Sequence, residues 1–175
     1  MKLLSNNTIR LRALEPEDLD LLFSVENNPE FWEVSSTQTP FSRALLKKYI
    51  DNAFMDLYEA KQLRLVIAER ESETAMGIVD LFNYEPMHQR AGVGVLILEK
   101  YRNKGIATQA LKLFIQYAFT HLELHQLYAN ILSDNVQSMR LFESLNFEKI
   151  GQKKDWIKFN GIFKNVELYQ LIDQK

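Results

Sequence analysis

The sequence predicts an α/β protein (α+β in the way its elements are grouped), with helices packed over a mixed, largely antiparallel sheet. Three observations lead there. Short apolar runs rich in β-branched residues recur along the chain, and two neighbouring pairs are joined by polar turns, Glu71-Ser72-Glu73-Thr74 and Asn160-Gly161. Between other runs, apolar residues repeat at helical spacing. One strand, residues 93–98, leads through a charged turn into a glycine and then a helix, which makes a strand-to-helix connection.

Taken in order, residues 8–14 alternate polar and apolar side chains, a half-buried strand. Glu15-Pro16-Glu17-Asp18 starts a helix, with proline in the first turn and acids beside the positive end of the dipole. Leu19, Leu22 and Phe23 form its inner stripe, and Asn27-Asn28-Pro29 ends it. Residues 30–39 read as a loop, with Phe31 and Trp32 either exposed or folded inward. Pro40-Phe41-Ser42 leads into a second helix with Leu45, Leu46, Tyr49, Ile50, Ala53 and Phe54 on one side. This helical pair is expected either to wall a substrate pocket or simply to pack. Residues 63–68 and 76–82 are strands of a hairpin, and 84–89, with Pro86 inside, form a loop before the central strand. The helix after Gly105 carries Ile106, Ala110, Leu111, Phe114, Ile115 and Ala118. A strand at 126–131 follows, and then Ser133-Asp134-Asn135 caps a helix whose apolar side is Met139, Leu141, Phe142 and Leu145. Asn146 stands at its C-terminal end, where left-handed dihedrals are common. Strands at 147–150, 156–159 and 163–172 complete the order β-α-α-β-β-β-α-β-α-β-β, without repeats or linkers.

A chain of 175 residues, 46% hydrophobic and 25% charged, suits a single domain over 1–175 with a full core. Its net charge of -2 argues against a nucleic-acid partner. No apolar run is long enough to span a membrane, and Met1-Lys2-Leu3-Leu4-Ser5-Asn6 lacks the apolar core of a signal peptide. The absence of cysteine removes disulfides, thiolate nucleophiles and cysteine metal sites, so a cytoplasmic location is expected. His121 and His125 have a zinc-like spacing, but no third ligand lies nearby in sequence, so they read as a solvated or core-edge pair and no metal is expected.

The chemistry concentrates at the strand-to-helix turn. Glycine allows a tight turn and close backbone approach to a ligand. The first amides of a helix have no intrahelical acceptors, and the macrodipole adds partial positive charge there. Amides across residues 104–108 therefore suit a phosphate or pyrophosphate, with Arg102 and Lys104 supplying charge. A structural turn alone would give the same local pattern. A nucleoside-triphosphate loop of the G-x-x-x-x-G-K-[ST] type is absent. So is the dinucleotide fingerprint, because Gly92 and Gly94 precede the strand core instead of following it.

Arg102-x-x-Gly105-x-Ala107 resembles the Q/R-x-x-G-x-G/A signature of the GNAT superfamily of N-acetyltransferases. Further blocks agree in order. Gly77-Ile-Val-Asp-Leu81 and Arg90-Ala-Gly-Val-Gly94 look like the family's hairpin and central strand, and Asn135-x-x-Ser138-x-x-Leu141-Phe142-x-x-Leu145-Asn146-Phe147 is similar to its N-x-x-S/A-x-x-L-Y-x-x-x-G-F. With Ile9-Arg-Leu-Arg-Ala-Leu14 at the start, the resemblance covers nearly the whole chain. It is nearest the branch of spermidine/diamine and ribosomal-protein N-terminal acetyltransferases.

The resemblance implies a splayed central strand and acetyl-CoA as cosubstrate. Val95, Leu96 and Ile97 would offer peptide groups to the pantetheine arm, with an amide near Leu96 as oxyanion donor. Arg102, Asn103, Lys104, Gly105, Ile106, Ala107 and Thr108 would hold the pyrophosphate. Asn135, Ser138 and Phe142 would also contact the cofactor, Asn135 either as a plain helix cap or as cap and ligand together. Phe142 stands where the family often has a tyrosine that protonates the departing thiolate, so Ser138, Tyr128 or water is left for that task. An acidic residue often follows the arginine-alanine pair in the family, but here Gly92 does, which leaves Asp80 and Glu85 as candidate bases or as surface acids. The implied activity is acetyl transfer to a primary amine, either a polyamine-like small molecule or a protein N-terminus, by direct attack in a ternary complex. A homodimer is possible within this resemblance. The alternative is a coenzyme-A-binding regulatory module that has lost catalysis.

Overall fold

In the computed structural model, which describes residues 2–35, 37–52 and 56–174, seven strands form one sheet in the order β1-β2-β3-β4-β5-β7-β6. The strands are β1 (Ile9–Ala13), β2 (Leu63–Glu69), β3 (Ala75–Glu85), β4 (Arg90–Ile97), β5 (Gln126–Leu132), β6 (Glu148–Phe159) and β7 (Ile162–Ile172). Every pairing is antiparallel except β4 with β5. This is the mixed, largely antiparallel sheet expected from the strand and turn pattern. The helices are α1 (Leu19–Glu26), α2 (Pro29–Ser35), α3 (Arg43–Asp51), α4 (Leu57–Ala60), α5 (Ile106–Thr120) and α6 (Val136–Glu143).

The chain divides into two compact units, Met1–Ala13 with Leu57–Lys175, and Leu14–Asp56. In the larger unit, α5 packs over β1, β3 and β4. Ile106, Ala110, Leu111, Phe114 and Ala118 of α5 share one core with Val79, Leu81, Ala91, Val93, Leu127 and Ala129 from the sheet. These sheet residues sit at alternate positions, so they mark one face. Near the end of β3, Asn83 has φ +50° and the ladder with β4 shifts register between Phe82 and Glu85. The last hairpin turns on Asn160 (φ +48°) and Gly161 (φ +83°), the pair of left-handed residues that a two-residue turn between twisted strands requires.

In the smaller unit, α1 buries Leu22 and Val25, and α3 buries Leu46 and Ile50. The Ser42 side chain caps α3 by accepting from the Leu45 N–H at 3.1 Å. Leu45 itself is 51% exposed and leaves the apolar side expected for it. Ala53 and Phe54 lie outside the described residues.

Residues 30–35, expected as part of a loop over 30–39, are helical together with Pro29. Asn27-Asn28-Pro29 closes one helix and also opens the next: the Asn28 side chain accepts from the Glu30 N–H at 3.0 Å, and Pro29 takes the first helical position. Trp32 then donates its indole N–H to the Glu26 carbonyl at 2.8 Å. The segments expected as separate strands near 147–150 and 156–159 are one strand, β6. It is interrupted between Lys153 and Ile157 by a register shift at which Asp155 takes φ +49°.

Candidate active site

Strand β4 has two different sides. Along β3 it is fully laddered, from Gly77 opposite Ile97 to Phe82 opposite Gly92. Along β5 it pairs only through Arg90, Ala91 and Gly92, the last opposite Tyr128. Beyond Gly92 the two parallel strands part, which is the splay that the resemblance implied. The Leu98 N–H donates to Met76 at 2.9 Å, and antiparallel ladders alternate direction at each residue. The peptide groups of Leu96 and Gly94 therefore face β3, and those of Val93, Val95 and Ile97 face the open side. Two contacts agree with this. The Leu96 carbonyl occupies the space that a side chain on Gly77 would need, and Arg102 Nε donates to the Ile97 carbonyl at 3.1 Å across the open side. The peptide group of Leu96, expected to be free, is spent in the sheet; Val95 and Ile97 keep the expected orientation.

Below the open edge, a 3-10 turn at Glu99–Tyr101 brings the chain to Asn103 (φ +59°) and Gly105 (φ +72°), both left-handed. Gly105 is the N-cap of α5 and has no side chain to cap it. The first bond inside the helix runs from the Gln109 N–H to the Gly105 carbonyl at 3.1 Å. The amides of Ile106, Ala107 and Thr108 are thus left without intrahelical acceptors. A groove of about 160 Å³ opens here, lined by Ile97, named above for the strand edge, by Arg102, Asn103, Gly105, Ile106, Ala107 and Thr108, named for the turn, and by Tyr101, Gln137 and Leu141, which the sequence did not single out. A Cβ on Gly105, which lines this groove, would meet nothing within 4 Å. The Lys104 ammonium donates to the Lys100 carbonyl at 2.9 Å and lies 5.6 Å from the Tyr101 ring centroid, at the rim of the turn and outside the groove lining.

The Asn135 side chain accepts from the Ser138 N–H at 3.0 Å, so its oxygen caps α6. Neither Asn135, Ser138 nor Phe142 lines the groove. Phe142 is 4% exposed and packs edge-to-face on Phe147 at 5.0 Å, which places it in the core and corrects its expected role as a cofactor contact. The Ser133-Asp134 lead-in to α6 is fastened to β7 by several bonds. The Ser133 hydroxyl donates to Glu167 at 2.8 Å, and Lys164 pairs with Asp134 at 2.6 Å. Glu167, nearly buried, also receives Gln152 at 2.7 Å and the Lys149 ammonium at 2.7 Å, and these donors, Lys149 foremost, hold its carboxyl below the usual range.

On the sheet face opposite α5, two rows of paired residues cross the strands. Arg64, Asp80 and Gly94 form one, and Phe82, Gly92 and Tyr128 the other. Asp80 takes both prongs of Arg64, at 2.7 and 3.0 Å. Glu85 takes both prongs of Arg90 at 3.0 Å each, and this pairing lowers its pKa. Each candidate base is therefore engaged by an arginine in a two-pronged ion pair. Tyr128 is half-buried at the point where β4 and β5 part. Its ring meets Phe82 edge-on at 6.0 Å, and its hydroxyl lies 3.4 Å from the Asn83 amide. Among the described residues there is no group of three or more acidic, histidine or cysteine side chains able to hold a metal, and no helix is long and apolar enough to cross a membrane. His121 ends α5 with its ring stacked on Tyr117 at 5.1 Å, and His125 follows in the connection to β5.

The family model for the acetyltransferase (GNAT) domain matches residues 8–148. The chain belongs to this family. This GNAT acetyltransferase is 29% identical over 161 residues to spermidine N(1)-acetyltransferase of Escherichia coli K12, covering 92% of this chain and 84% of that one. It is also 28% identical over 99 residues to the putative ribosomal N-acetyltransferase YdaF of Bacillus subtilis, covering 57% of this chain and 54% of YdaF. Its fold superposes with a TM-score of 0.86 on a crystal structure of spermidine N-acetyltransferase from Vibrio cholerae in complex with CoA and spermine, at 23% identity over 95% and 96% of the two chains. The acetyltransferase fold thus surrounds both features of the site, the open strand edge and the amide-lined turn.

Proposed function

We propose that the chain acts as one acetyltransferase domain over residues 1–175 and moves the acetyl group of acetyl-CoA to a primary amine, a small polyamine-like molecule or a protein N-terminus. The observation that carries this reading is the set of unpaired amides at Ile106, Ala107 and Thr108, opening on a vacant groove beside the free edge of β4. Three aligned amides at a helix start, with Arg102 beside them, suit a pyrophosphate. The outward peptide groups of Val95 and Ile97 suit the amide groups of a pantetheine arm, because each offers both a donor and an acceptor.

Acetyl-CoA supplies an acyl carbon already activated as a thioester. Residues of the open edge would orient it, and an outward-facing N–H of β4 would stabilise the oxyanion. The amine nitrogen forms the new C–N bond, the C–S bond breaks, and the nitrogen gives up a proton. Tyr128 is the favoured proton donor to the leaving sulfur, since its hydroxyl lies on the face away from α5 where the strands separate. Ser138, near the start of α6, is the second candidate. Asp80 and Glu85 are better suited to orienting Arg64 and Arg90 than to accepting the amine proton, which passes to water in this scheme. A cytoplasmic site of action belongs to the same reading. So does a homodimer, which is supported by the apolar side chains exposed on the last hairpin, among them Trp156, Ile162 and Phe163.

The test is thiol release from acetyl-CoA, followed with a thiol-reactive dye across spermidine, putrescine, amino sugars, aminoglycosides and peptides with free N-termini. A chain without cysteine adds no background. Saturable release with one amine class is expected. No release, together with no rise in melting temperature on adding acetyl-CoA, would refute the reading.

A further inference from the structure

The face of the sheet away from α5 carries a combination that the acetyltransferase reading does not use. Phe82 and Gly92 are cross-strand partners, and the Phe82 ring lies directly over Gly92: a Cβ added there would overlap three atoms of the ring. One rung along, Gly94 also lacks a side chain, and a Cβ on it would lie 3.8 Å from the same ring. Tyr128 closes the other side, edge-on to Phe82 at 6.0 Å and 86°. Phe82 and Tyr128 are both half-buried, so part of each remains open. The carboxylates in the rows on either side, Asp80 opposite Gly94 and Glu85 opposite Arg90, already hold both prongs of Arg64 and of Arg90. At the fork in the strands, this surface is aromatic and electrically neutral.

We propose that Phe82, lying over Gly92 beside Tyr128, forms an apolar shelf that selects acceptors whose primary amine is carried on an uncharged hydrocarbon chain. This rests on the acetyltransfer reading, keeps its primary amine and argues against the polyamine-like form of the acceptor given there. A hydrocarbon chain loses apolar area to water against two rings, and the amine nitrogen meets the negative ring faces. A polycation would bring further charges onto a surface where the sheet provides no unmatched carboxylate, and desolvating them without a partner is unfavourable. Gly92 is integral to the device, because any side chain there would push Phe82 away.

The experiment compares kcat/KM for 2-phenylethylamine and for spermidine in the wild type, Phe82→Ala and Phe82→Ala/Gly92→Glu, with the acetyl-CoA-induced rise in melting temperature measured on each. The wild type is expected to favour 2-phenylethylamine. Phe82→Ala should raise its KM about tenfold, a loss matching one aromatic contact, with a much smaller change in kcat and little change for spermidine. The double variant, with a carboxylate in the space that the ring leaves, should shift the preference toward spermidine. Wild-type preference for spermidine, or an equal loss on both amines in Phe82→Ala, would overturn the shelf. If the acetyl-CoA shift persists, that failure belongs to the shelf alone. If the wild type shows no acetyl-CoA shift, the acetyltransfer reading falls and the shelf falls with it.

Discussion

Substitution of Gly105 separates the cost of a strained backbone from the loss of an anion cradle. At φ +72° a β-carbon costs roughly 1–2 kcal/mol, and for a protein of this size each kcal/mol lowers the melting temperature by about 2–4 °C. Gly105→Val should therefore fold, with a melting temperature roughly 2–8 °C lower. Gly105→Asn should lose less, because asparagine tolerates left-handed dihedrals. The Cβ of either side chain meets no protein within 4 Å, and Gly105 itself lines the groove with Ile106, Ala107 and Thr108, so the added atoms take up space there. Acetyl-CoA at a hundred times its Kd adds about 2.7 kcal/mol to wild-type stability. Losing a single charge-assisted amide contact, about 1.5–3 kcal/mol, weakens Kd by roughly 10–150-fold. At the same ligand concentration the stabilisation would fall to about 0.3–1.3 kcal/mol. Differential scanning fluorimetry with and without acetyl-CoA resolves that difference. A folded Gly105→Asn protein that shows the full wild-type shift would refute the assignment of this turn to the pyrophosphate.

Further outcomes follow from the side chains around the site. Phe142→Tyr puts a hydroxyl into a core position that is 4% exposed; without a partner it should cost about 1–3 kcal/mol by chemical denaturation and bring no gain in turnover, and a clear gain would return Phe142 to the reaction. Because Arg90 lowers the pKa of Glu85, that carboxylate is ionised throughout the neutral range, and Glu85→Gln should leave the acidic limb of the pH–rate profile unmoved. Glu167→Ala leaves Ser133, Gln152 and Lys149 without their acceptor, for a loss of about 1–3 kcal/mol in urea unfolding together with weaker acetyl-CoA binding through the lead-in to α6. With the folded pKa of Glu167 depressed below 4.5, chiefly by Lys149, its stabilisation is complete above the ordinary carboxylate range and is lost as pH falls through the folded value. The stability gap between wild type and Glu167→Gln should accordingly close in acid, and a gap independent of pH would contradict the pairing.

The sheet and the turn were legible because their signals are local. Asn160-Gly161 and the Arg102-to-Ala107 motif each specify a backbone geometry within a few residues, and both geometries are present. What escaped depends on register or on ambiguous punctuation. Asn28-Pro29 serves equally well as a helix stop and a helix start, so α2 has the look of a loop in the sequence. Asp80 and Glu85 look available in sequence because nothing there reveals that cross-strand pairing sets Arg64 opposite one, or that a short turn folds Arg90 onto the other. The direction of each peptide group in β4 likewise depends on which residue pairs with Met76, a one-residue matter that an apolar run does not encode. Gln137 and Leu141 reach the groove from α6, far from the turn in sequence, and only the folded arrangement brings them there.

The three rungs between β4 and β5 also bear on how the sheet comes apart. Strands β1–β4 form one continuous ladder and β5–β7 another, and the ladder that joins the two is confined to Arg90, Ala91 and Gly92, with the Gln89 carbonyl just before it accepting from the Gln126 N–H. Small cooperative openings follow such seams. In deuterium exchange, the amides of Gly94 and Leu96 would report the first ladder, whereas Val95 and Ile97, one residue away and facing the open side, would exchange fast without waiting for either ladder to open. A ligand seated along the seam would slow the fast pair and leave the slow pair unchanged, so one strand carries an internal reference beside its own occupancy gauge.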